Sequence, residues 1–345
     1  MIEEAAIGSL TIRQSKLSKS WRPRRSYDLV LTSLSWEERL TAAISDVADI
    51  IGTPIVIKFK SSSEAVESEK NRQLKRLESI IGALSPVEFS RSTDVAANFP
   101  RLETMIRDLY VQLGRPLNIL LDITCFPKTY LLFLIGLGFS RDYFANCDCI
   151  YAAGHYDLAT EKDEERLIGG PRSLVSEGEW RSHQIPYMTS TEFLPEQRDL
   201  VVALGGELGL SLPFIERVEP RRLRLMFIAE TAPRPDLPML TSEKSALDDL
   251  MNEPNAERID VGLGDVIRAA RAASEFARAA GSAGVVGMAI GSKTHALGLG
   301  IASLSAANME IICRTPASYR PINVRSTGKH YVYEIQDRFD PSSYF

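Results

Sequence analysis

The sequence of 345 residues has little excess charge and no long apolar run. Its formal net charge of −5 gives the whole molecule no attraction to nucleic acid or to an anionic membrane, so any anion site has to be local. The longest apolar stretch, 130–139, falls well short of the roughly 18 residues that a transmembrane helix needs, and it predicts a buried helix. We therefore expect no membrane partner, and the net charge does not indicate a nucleic-acid partner.

Signals for export, disulfides and metal binding are also missing. The first ten residues are acidic and lack the basic and apolar regions of a signal peptide. Cys125, Cys147, Cys149 and Cys313 lie in or beside predicted strands, which suits reduced thiols and a cytoplasmic location. Cys147 and Cys149 share one face of a strand and could reach one ion. No second Cys/His pair stands at a zinc-ligand spacing, so core packing is the favoured interpretation and no metal is expected.

Predicted strands and helices alternate along most of the chain. The first half shows strand patterns at 27–34, 53–60, 86–90, 117–124 and 147–153, separated by helical patterns at 35–51, 64–81, 98–113 and from 127. The second half shows strands at 199–204, 223–229, 258–261, 283–290 and 309–315, with helices at 212–218, 242–251, 264–280 and 292–307. Such alternation is typical of parallel sheets with crossover helices. We expect an α/β fold of two Rossmann-like three-layer units.

The same pattern divides the chain into five regions. Residues 154–198 are charged, punctuated by glycine and proline, and without a sustained period, which is unusual inside a compact domain. The tail from 323 to 336 looks like a small C-terminal β-hairpin, with 326–329 at the turn and alternating residues after it. The predicted regions are an N-terminal arm at 1–26, a Rossmann-like half at 27–153, a connector or flap at 154–198 with a small hairpin near 184–188, a second half at 199–320, and a C-terminal hairpin and tail at 321–345.

The ends of the two halves resemble each other. Each has a buried strand, a turn, a Lys-Thr pair, an aromatic ring and a helix of small and apolar residues; the pairs are Lys128-Thr129 and Lys293-Thr294. The agreement in element order favours internal duplication over a chance likeness of two βα units. Ligands of open parallel sheets bind beyond the carboxyl ends of the strands. Both turns are predicted there, so we expect a ligand held between them.

The second turn, Gly291-Ser292-Lys293-Thr294-His295, has the parts of a phosphate site. Gly291 lets the backbone approach a ligand, Ser292 can cap the helix, and Lys293 and Thr294 add a charge and a hydroxyl. The amide groups at the start of the helix attract an anion. The alternative is a Ser-capped helix with a solvated lysine. The spacing of glycines and lysine is not that of a Walker A loop.

Other candidates are less specific. Asp122 and Thr124 close a buried strand before Lys128 and Thr129, and Asp122 could contact a ribose or stabilise the turn. Gly205 and Glu207 lie in a Gly-rich segment between a strand and a helix, which suits either a dinucleotide loop without the usual spacing or a tight turn. Neither a catalytic triad nor another complete catalytic set can be assembled, so the catalytic residues and any cofactor stay unknown.

The stretches 120–129 and 290–298 together resemble the CARF-type Rossmann sensors of prokaryotic defence. In that family a strand ending in Asn/Asp-x-Thr enters a Gly-rich, Lys-containing turn that opens a helix. Cys125-Phe126-Pro127 departs from the family's glycines, and no effector domain is recognisable. The duplicated layout also looks like that of Rossmann-like proteins of antiphage defence. The resemblance points to Asp122, Thr124, Lys128 and Thr129, and to Gly291, Ser292, Lys293 and Thr294.

That resemblance implies binding of a cyclic oligonucleotide or a related signal, usually across a symmetric dimer, with an effector domain attached. The expected partners are therefore such a nucleotide ligand and either a second copy of the chain or another protein. The expected function is therefore a nucleotide- or phosphate-binding sensor or accessory subunit in antiphage defence. The alternative is a nucleotide-processing enzyme, a hydrolase or glycosidase, with His295, Glu207 or Asp122 in the chemistry. A third interpretation is an interaction protein whose turns bind nothing.

Overall fold

A computed structural model describes residues 2–61, 63–156, 176–190, 198–204, 211–229, 248–319 and 322–338. The chain divides into two compact units. Unit 1 comprises Met1–Tyr156 and Asn323–Phe345, and unit 2 comprises Asp157–Ile322. In sequence, unit 2 is therefore an insertion between two parts of unit 1. Among the described residues, no helix has the length and apolar character needed to cross a membrane.

Unit 1 is built around a sheet of eight strands. Its strands are β1 (Glu3–Ile7), β2 (Leu10–Lys16), β3 (Leu29–Ser33), β4 (Ile55–Phe59), β5 (Val87–Phe89), β6 (Leu117–Asp122), β7 (Phe144–Tyr156) and β14 (Val324–Asp337). Its helices are α1 (Glu64–Ile81), α2 (Val95–Leu113) and α3 (Lys128–Ser140). The spatial order of the strands is β1-β2-β14-β7-β6-β3-β4-β5. From β7 to β5 the neighbours are parallel, whereas β14 and the β1–β2 hairpin pair antiparallel.

Unit 2 contains a sheet of six strands. Its strands are β8 (Ser176–Gln184), β9 (Arg198–Ala203), β10 (Leu223–Ile228), β11 (Ala256–Val261), β12 (Gly284–Ala289) and β13 (Met309–Tyr319). Among the described residues of this unit, the helices are α4 (Leu212–Val218), α5 (Val266–Ala279) and α6 (Lys293–Ser305), and residues 248–251 are also helical. The spatial order is β11-β10-β9-β12-β13-β8, and β8 is antiparallel to its neighbour.

The five parallel strands follow one order in both units. Numbered along the chain within each unit, they lie in the order 3-2-1-4-5, and an antiparallel strand flanks the fifth, β14 in unit 1 and β8 in unit 2. This order is that of the first five strands of the doubly wound Rossmann sheet. The central strands are apolar on both faces because helices or helical turns cover both, which explains the continuous apolar runs in β6 and β12.

The helices that cover the sheets follow from local sequence. Ser63 caps α1 by accepting a hydrogen bond from the backbone N–H of Val66. Gly114 ends α2 with φ of 65°, a left-handed conformation that favours glycine. Helix α3 is buried almost all round, as expected for its apolar sequence. The sequence therefore predicts most element positions to within a few residues.

Three local predictions were wrong. The helical pattern at 35–51 forms two short 3-10 helices, Glu38–Thr41 and Ile44–Asp46, because the later part of this segment is rich in weak helix formers such as Ser45, Asp46 and Val47. Near 184–188 the chain forms no hairpin, since β8 pairs with β13 instead. The predicted C-terminal hairpin is a single strand, β14, with a bulge between Ser326 and His330.

The predicted region boundaries also differ from the units. The N-terminal arm contributes β1 and β2 to the edge of the unit 1 sheet, and the C-terminal segment completes that same sheet. The connector at 154–198 supplies the end of β7 and all of β8. Its remaining parts at 157–175 and 191–197 lie outside the described residues.

Candidate functional site

In each sheet, two neighbouring parallel strands are followed by connections that run to opposite sides of the pair. In unit 1 the chain leaves β3 toward β4 but leaves the adjacent β6 toward β7 on the opposite side. In unit 2 the same divergence occurs between β9 and β12. The carboxyl ends of these two strand pairs are the topological switch points, where open α/β sheets bind their ligands. Both Lys-Thr turns leave from such a pair.

In unit 2 the switch-point turn is held in place by its own backbone and cap. The N–H of Gly291 donates to the carbonyl of Ala203 at the end of β9, at 2.8 Å. The hydroxyl of Ser292 accepts from the N–H of His295 at 3.1 Å, so Ser292 is the N-cap of α6 as predicted. Gly291, Ser292 and Lys293 are partly exposed. These three residues are the part of the predicted site that a ligand can contact.

Thr294 and His295 lie deeper than the sequence suggests. Both side chains are fully buried. The Thr294 hydroxyl donates to the carbonyl of Leu263, and Nε2 of His295 lies 3.0 Å from the carbonyl of Gly262. A nitrogen that faces a carbonyl must carry the proton, so Nε2 is the donor of that hydrogen bond. These contacts fasten the start of α6 to the loop that follows β11.

Lys293 occupies the first position of α6 and is half-buried. A cation at that end of a helix opposes the macrodipole, so the position contributes little to helix stability and suits the binding of an anion. Gly205 and Glu207, the other predicted residues of unit 2, lie outside the described residues.

In unit 1 the side chains of Asp122 and Thr124 form hydrogen bonds that join the ends of neighbouring strands. Oδ1 of Asp122 accepts from the N–H of Thr124 at 3.0 Å, and Oδ2 accepts from the hydroxyl of Thr32 at 3.2 Å. The Thr124 hydroxyl accepts from the N–H of Ala152 at 3.0 Å. Asp122 and Thr124 are both buried. The turn-stabilising interpretation of Asp122 therefore has direct contacts behind it.

The remaining two residues of this turn open α3. Lys128 is half-buried at the first helical position, and Thr129 is buried at the second. Pro127 stands at the N-cap position and provides no side-chain cap. This turn therefore has fewer hydrogen-bond donors for an anion than the turn of unit 2 has.

The structure adds a charged cluster to the unit 1 switch point that the sequence does not reveal. Arg39 is only 4% exposed, and its Nε donates to Oε2 of Glu37. The Sγ of Cys125, from the turn after β6, lies 3.9 Å from the same carboxylate. Arg39 also contacts the carbonyl of Ala152 at 3.4 Å. Only the fold shows that Arg39 is buried beside the partly exposed Glu37.

The remaining thiols lie in the core. Cys147, Cys149 and Cys313 are fully buried, and burial raises the pKa of the Cys147 thiol. The sulfurs of Cys147 and Cys149 lie 3.8 Å apart on one face of β7. No group of three His, Cys, Asp or Glu side chains suited to a metal ion occurs in the part of the chain that the structure describes.

Comparisons with known proteins do not assign a family. No family model matches the chain, and no curated protein matches it. A solved structure, the cytoplasmic domain of a prokaryotic cation chloride cotransporter, is similar at 10% sequence identity over 85% of this chain and 96% of that chain. The TM-score is 0.24, and a likeness at that level carries no conclusion about function.

Proposed function

We propose that unit 2 binds a nucleotide or another phosphorylated ligand at the turn formed by Gly291, Ser292 and Lys293, and that the protein acts as a ligand sensor or accessory subunit. The observation that carries the proposal is the position of this partly exposed turn at the switch point between β9 and β12. The Gly-rich segment 205–209 follows β9 in the sequence and lies outside the described residues.

The chemistry of the turn supports an anion. The capped N-terminus of α6 supplies oriented amide groups and the positive end of the helix dipole. Lys293 adds a full positive charge. The buried hydrogen bonds of Thr294 and His295 fix the start of α6, which lowers the conformational-entropy cost of binding a ligand at the turn.

The common strand order of the two units supports an origin by duplication. In unit 1, however, Pro127 stands at the N-cap position instead of a serine, and the switch point contains buried Arg39 paired with partly exposed Glu37. We therefore assign the stronger phosphate site to unit 2 and a weaker one to Lys128 in unit 1.

A nucleotide-processing enzyme is the second candidate. The observation that favours it is the partly exposed Cys125 thiol, a nucleophile type that lies in the turn after β6, 3.9 Å from the Glu37 carboxylate. Asp122 and His295, the acid and base suggested by the sequence, are buried in internal hydrogen bonds and add no support.

A ligand screen tests the proposal. The melting temperature is measured with inorganic phosphate, AMP, ATP, GTP, NAD and cyclic oligoadenylates, and each hit is followed by calorimetry and by chromatography of the mixture. Lys293→Ala should weaken binding of a hit by about ten- to a hundredfold, the effect of losing one charge-assisted contact. Lys329→Ala, at an exposed site in unit 1, is the matched control and should leave the affinity unchanged.

The outcomes separate the candidates. A ligand that stabilises the wild type and is recovered intact supports a sensor, whereas conversion that Cys125→Ser abolishes supports an enzyme. Equal affinity in Lys293→Ala removes this turn from the site. The part of the proposal that concerns antiphage defence rests on the family resemblance, and loss of phage protection in Lys293→Ala would support it.

A further inference from the structure

A polar pocket lies in unit 1, away from the switch point. Its volume is about 230 Å³, and it opens beside Asn118, at the beginning of β6, so it sits near the amino ends of the parallel strands. The segment after β2, which includes Arg24, Arg25 and Tyr27, forms one wall of this pocket. The sheet itself supplies the floor.

The floor is a row of charged side chains that crosses four strands. Cross-strand pairing places Glu4 opposite Arg13, Arg13 opposite Glu334, and Glu334 opposite Asp148. The charges along this row are negative at Glu4, positive at Arg13 and negative at both Glu334 and Asp148. Two carboxylates are therefore direct neighbours, an arrangement that destabilises a sheet when nothing neutralises it.

A row of uncharged polar side chains follows on the same face. Residues two apart in a strand share a face. The pairing that puts Glu334 next to Asp148 therefore also puts Gln336 next to Asn146, with Thr11 and Asn118 on either side. Further along the same face the sheet turns apolar, with Leu120, Ile150 and Val332 in the core. The polar rows thus replace apolar packing over a limited area.

Asp148 is a buried carboxylate with one hydrogen-bond donor, and the charges of Arg24 and Arg25 offset its burial only in part. It is 8% exposed, and its Oδ2 accepts a hydrogen bond from the hydroxyl of Tyr27 at 2.7 Å. Within the described residues, Oδ1 of Asp148 accepts no hydrogen bond. Burial is the main cause that raises the pKa of Asp148 to about 7, with a contribution from Glu334. The free oxygen borders the pocket, so the pocket has room for a donor that the protein does not supply.

Glu334 is only partly neutralised. Its carboxylate lies 3.5 Å from Nε of Arg13 and 3.6 Å from Nε of Arg24. Those distances are long for direct hydrogen bonds. Burial also raises the pKa of Glu334, and Arg13 and Arg24 lower it to a smaller extent. The floor therefore carries two carboxylates with a shortage of close donors.

The mouth of the pocket has the opposite character. Arg24 is exposed over 58% of its side chain, and Arg25 is partly exposed next to it. Both border the pocket. An anionic floor below a cationic mouth is complementary to a molecule that carries a positive charge at one end and a negative charge at the other.

We propose that this pocket binds a small zwitterion whose primary ammonium group donates hydrogen bonds to Asp148 and Glu334 and whose carboxylate contacts Arg24 and Arg25. An ammonium group offers three donors and no acceptor, which matches two carboxylates that lack donors. The size of the pocket suits a free amino acid. A metal ion is a poorer match, since the described residues bring no three metal-ligating side chains together. The site is independent of the phosphate site in unit 2.

Calorimetry with the full-length chain tests the proposal with a series of amino acids of increasing length: glycine, β-alanine, γ-aminobutyrate and δ-aminovalerate. One length should bind best, because the two charges of the pocket are a fixed distance apart. Butylamine and butyrate, which carry one charge each, and betaine, a zwitterion without N–H donors, should each bind at least about tenfold more weakly than the best amino acid.

Two variants and a control assign the contacts. Asp148→Asn keeps an acceptor for Tyr27 but loses the charge, and it should lower the affinity for the best amino acid at least about tenfold. Arg24→Gln should also weaken binding. Arg22→Gln is the matched control, because Arg22 lies on the same segment, pairs with Asp49 at 3.3 Å and does not border the pocket.

Proton release on binding would not be observed if Asp148 had only a structural role, so it tests the contact with the ammonium group directly. Since the ammonium favours the ionised form of Asp148, binding should release protons near neutral pH, and the affinity should rise from pH 6 to pH 8. Release is measured as the dependence of the binding enthalpy on the buffer's heat of ionisation. The proposal is overturned if none of the amino acids gives saturable heat, if betaine or butylamine binds as tightly, or if folded Asp148→Asn binds unchanged.

Discussion

Replacing Asp148 by Asn removes a buried carboxylate that faces Glu334 across two antiparallel strands. Burial raises the pKa of Asp148 from an ordinary 3.8 to about 7. The difference corresponds to a penalty on the order of 4 kcal/mol for holding the ionised carboxylate in the folded protein. An asparagine has nearly the same shape and can still accept the hydrogen bond from Tyr27. We therefore expect Asp148→Asn to stabilise unit 1 at pH 8, by about 2 kcal/mol after the cost of burying the amide.

The pH dependence gives the sharper test. Near pH 4 the folded state of the wild type holds the proton and the unfolded state is only about half ionised, so the carboxylate has little effect on stability. Between pH 4 and about pH 7 the folded state keeps a proton that the unfolded state has released, and the free energy of unfolding falls as the pH rises. Above pH 7 the full penalty is present. The advantage of Asp148→Asn should therefore be smallest near pH 4 and largest above pH 7.

Urea unfolding in a Trp180→Phe background measures this effect. Trp180 lies in unit 2, so the fluorescence of Trp21 and Trp36 then reports on unit 1. Asp108→Asn, at a carboxylate with 65% of its side chain exposed, is the control and should change stability by less than about 0.5 kcal/mol at every pH. An Asp148→Asn protein that is no more stable than the wild type at pH 8 would refute the reasoning.

Three further predictions concern single side chains inside one unit or the other. Gly298→Ala should destabilise unit 2 by about 1–3 kcal/mol, since the new Cβ would lie 2.6 Å from the Cβ of Ala269; Gly52→Ala, with nothing within 4 Å, should be neutral in the same thermal melts. Asp199→Asn should cost about 3 kcal/mol, because buried Asp199 pairs with two arginines, and a loss no larger than that of exposed Asp260→Asn in urea unfolding would contradict this. Iodoacetamide should modify Cys125 in the native protein before the three buried cysteines, as read by mass spectrometry of peptides.

The sequence predicts those parts of the fold that are encoded locally. The apolar runs of β6 and β12 are buried on both faces, so their composition alone identifies them as central strands. The capping role of Ser292 is likewise visible, because a serine before a helical pattern has a specific local function. The alternation of elements then leads to the Rossmann-like class.

Features that depend on distant partners could not be predicted. The segment around Gly328 carries a genuine turn signal, and Gly328 adopts φ of 76°. The chain nevertheless continues as one strand, because β14 finds its hydrogen-bond partners in β7 and β2, which are remote in sequence. In the same way, nothing local marks Asp148 as a buried charge. Its environment is created by Tyr27 and Glu334, from two other parts of the chain.

The candidate site was predicted in part. Gly291, Ser292 and Lys293 follow the carboxyl end of β12, as the sequence predicts, and they are partly exposed. Thr294 and His295 were chosen for their functional groups, but a sequence cannot show that a helix packs those groups inward. The roles of all five residues in binding stay predictions until a ligand is found.

The insertion of unit 2 between two parts of unit 1 sets an order for folding during synthesis. When β7 leaves the ribosome, its outer edge has no partner, because that partner is β14. The whole of unit 2 is made before residues 324–337 appear, so the unpaired edge persists while that unit folds. The β1–β2 hairpin also cannot join the sheet until then, because β14 lies between it and β7. An unpaired strand edge invites pairing with other chains. A nascent chain of this protein is therefore expected to depend on chaperones until its final strand closes the first sheet.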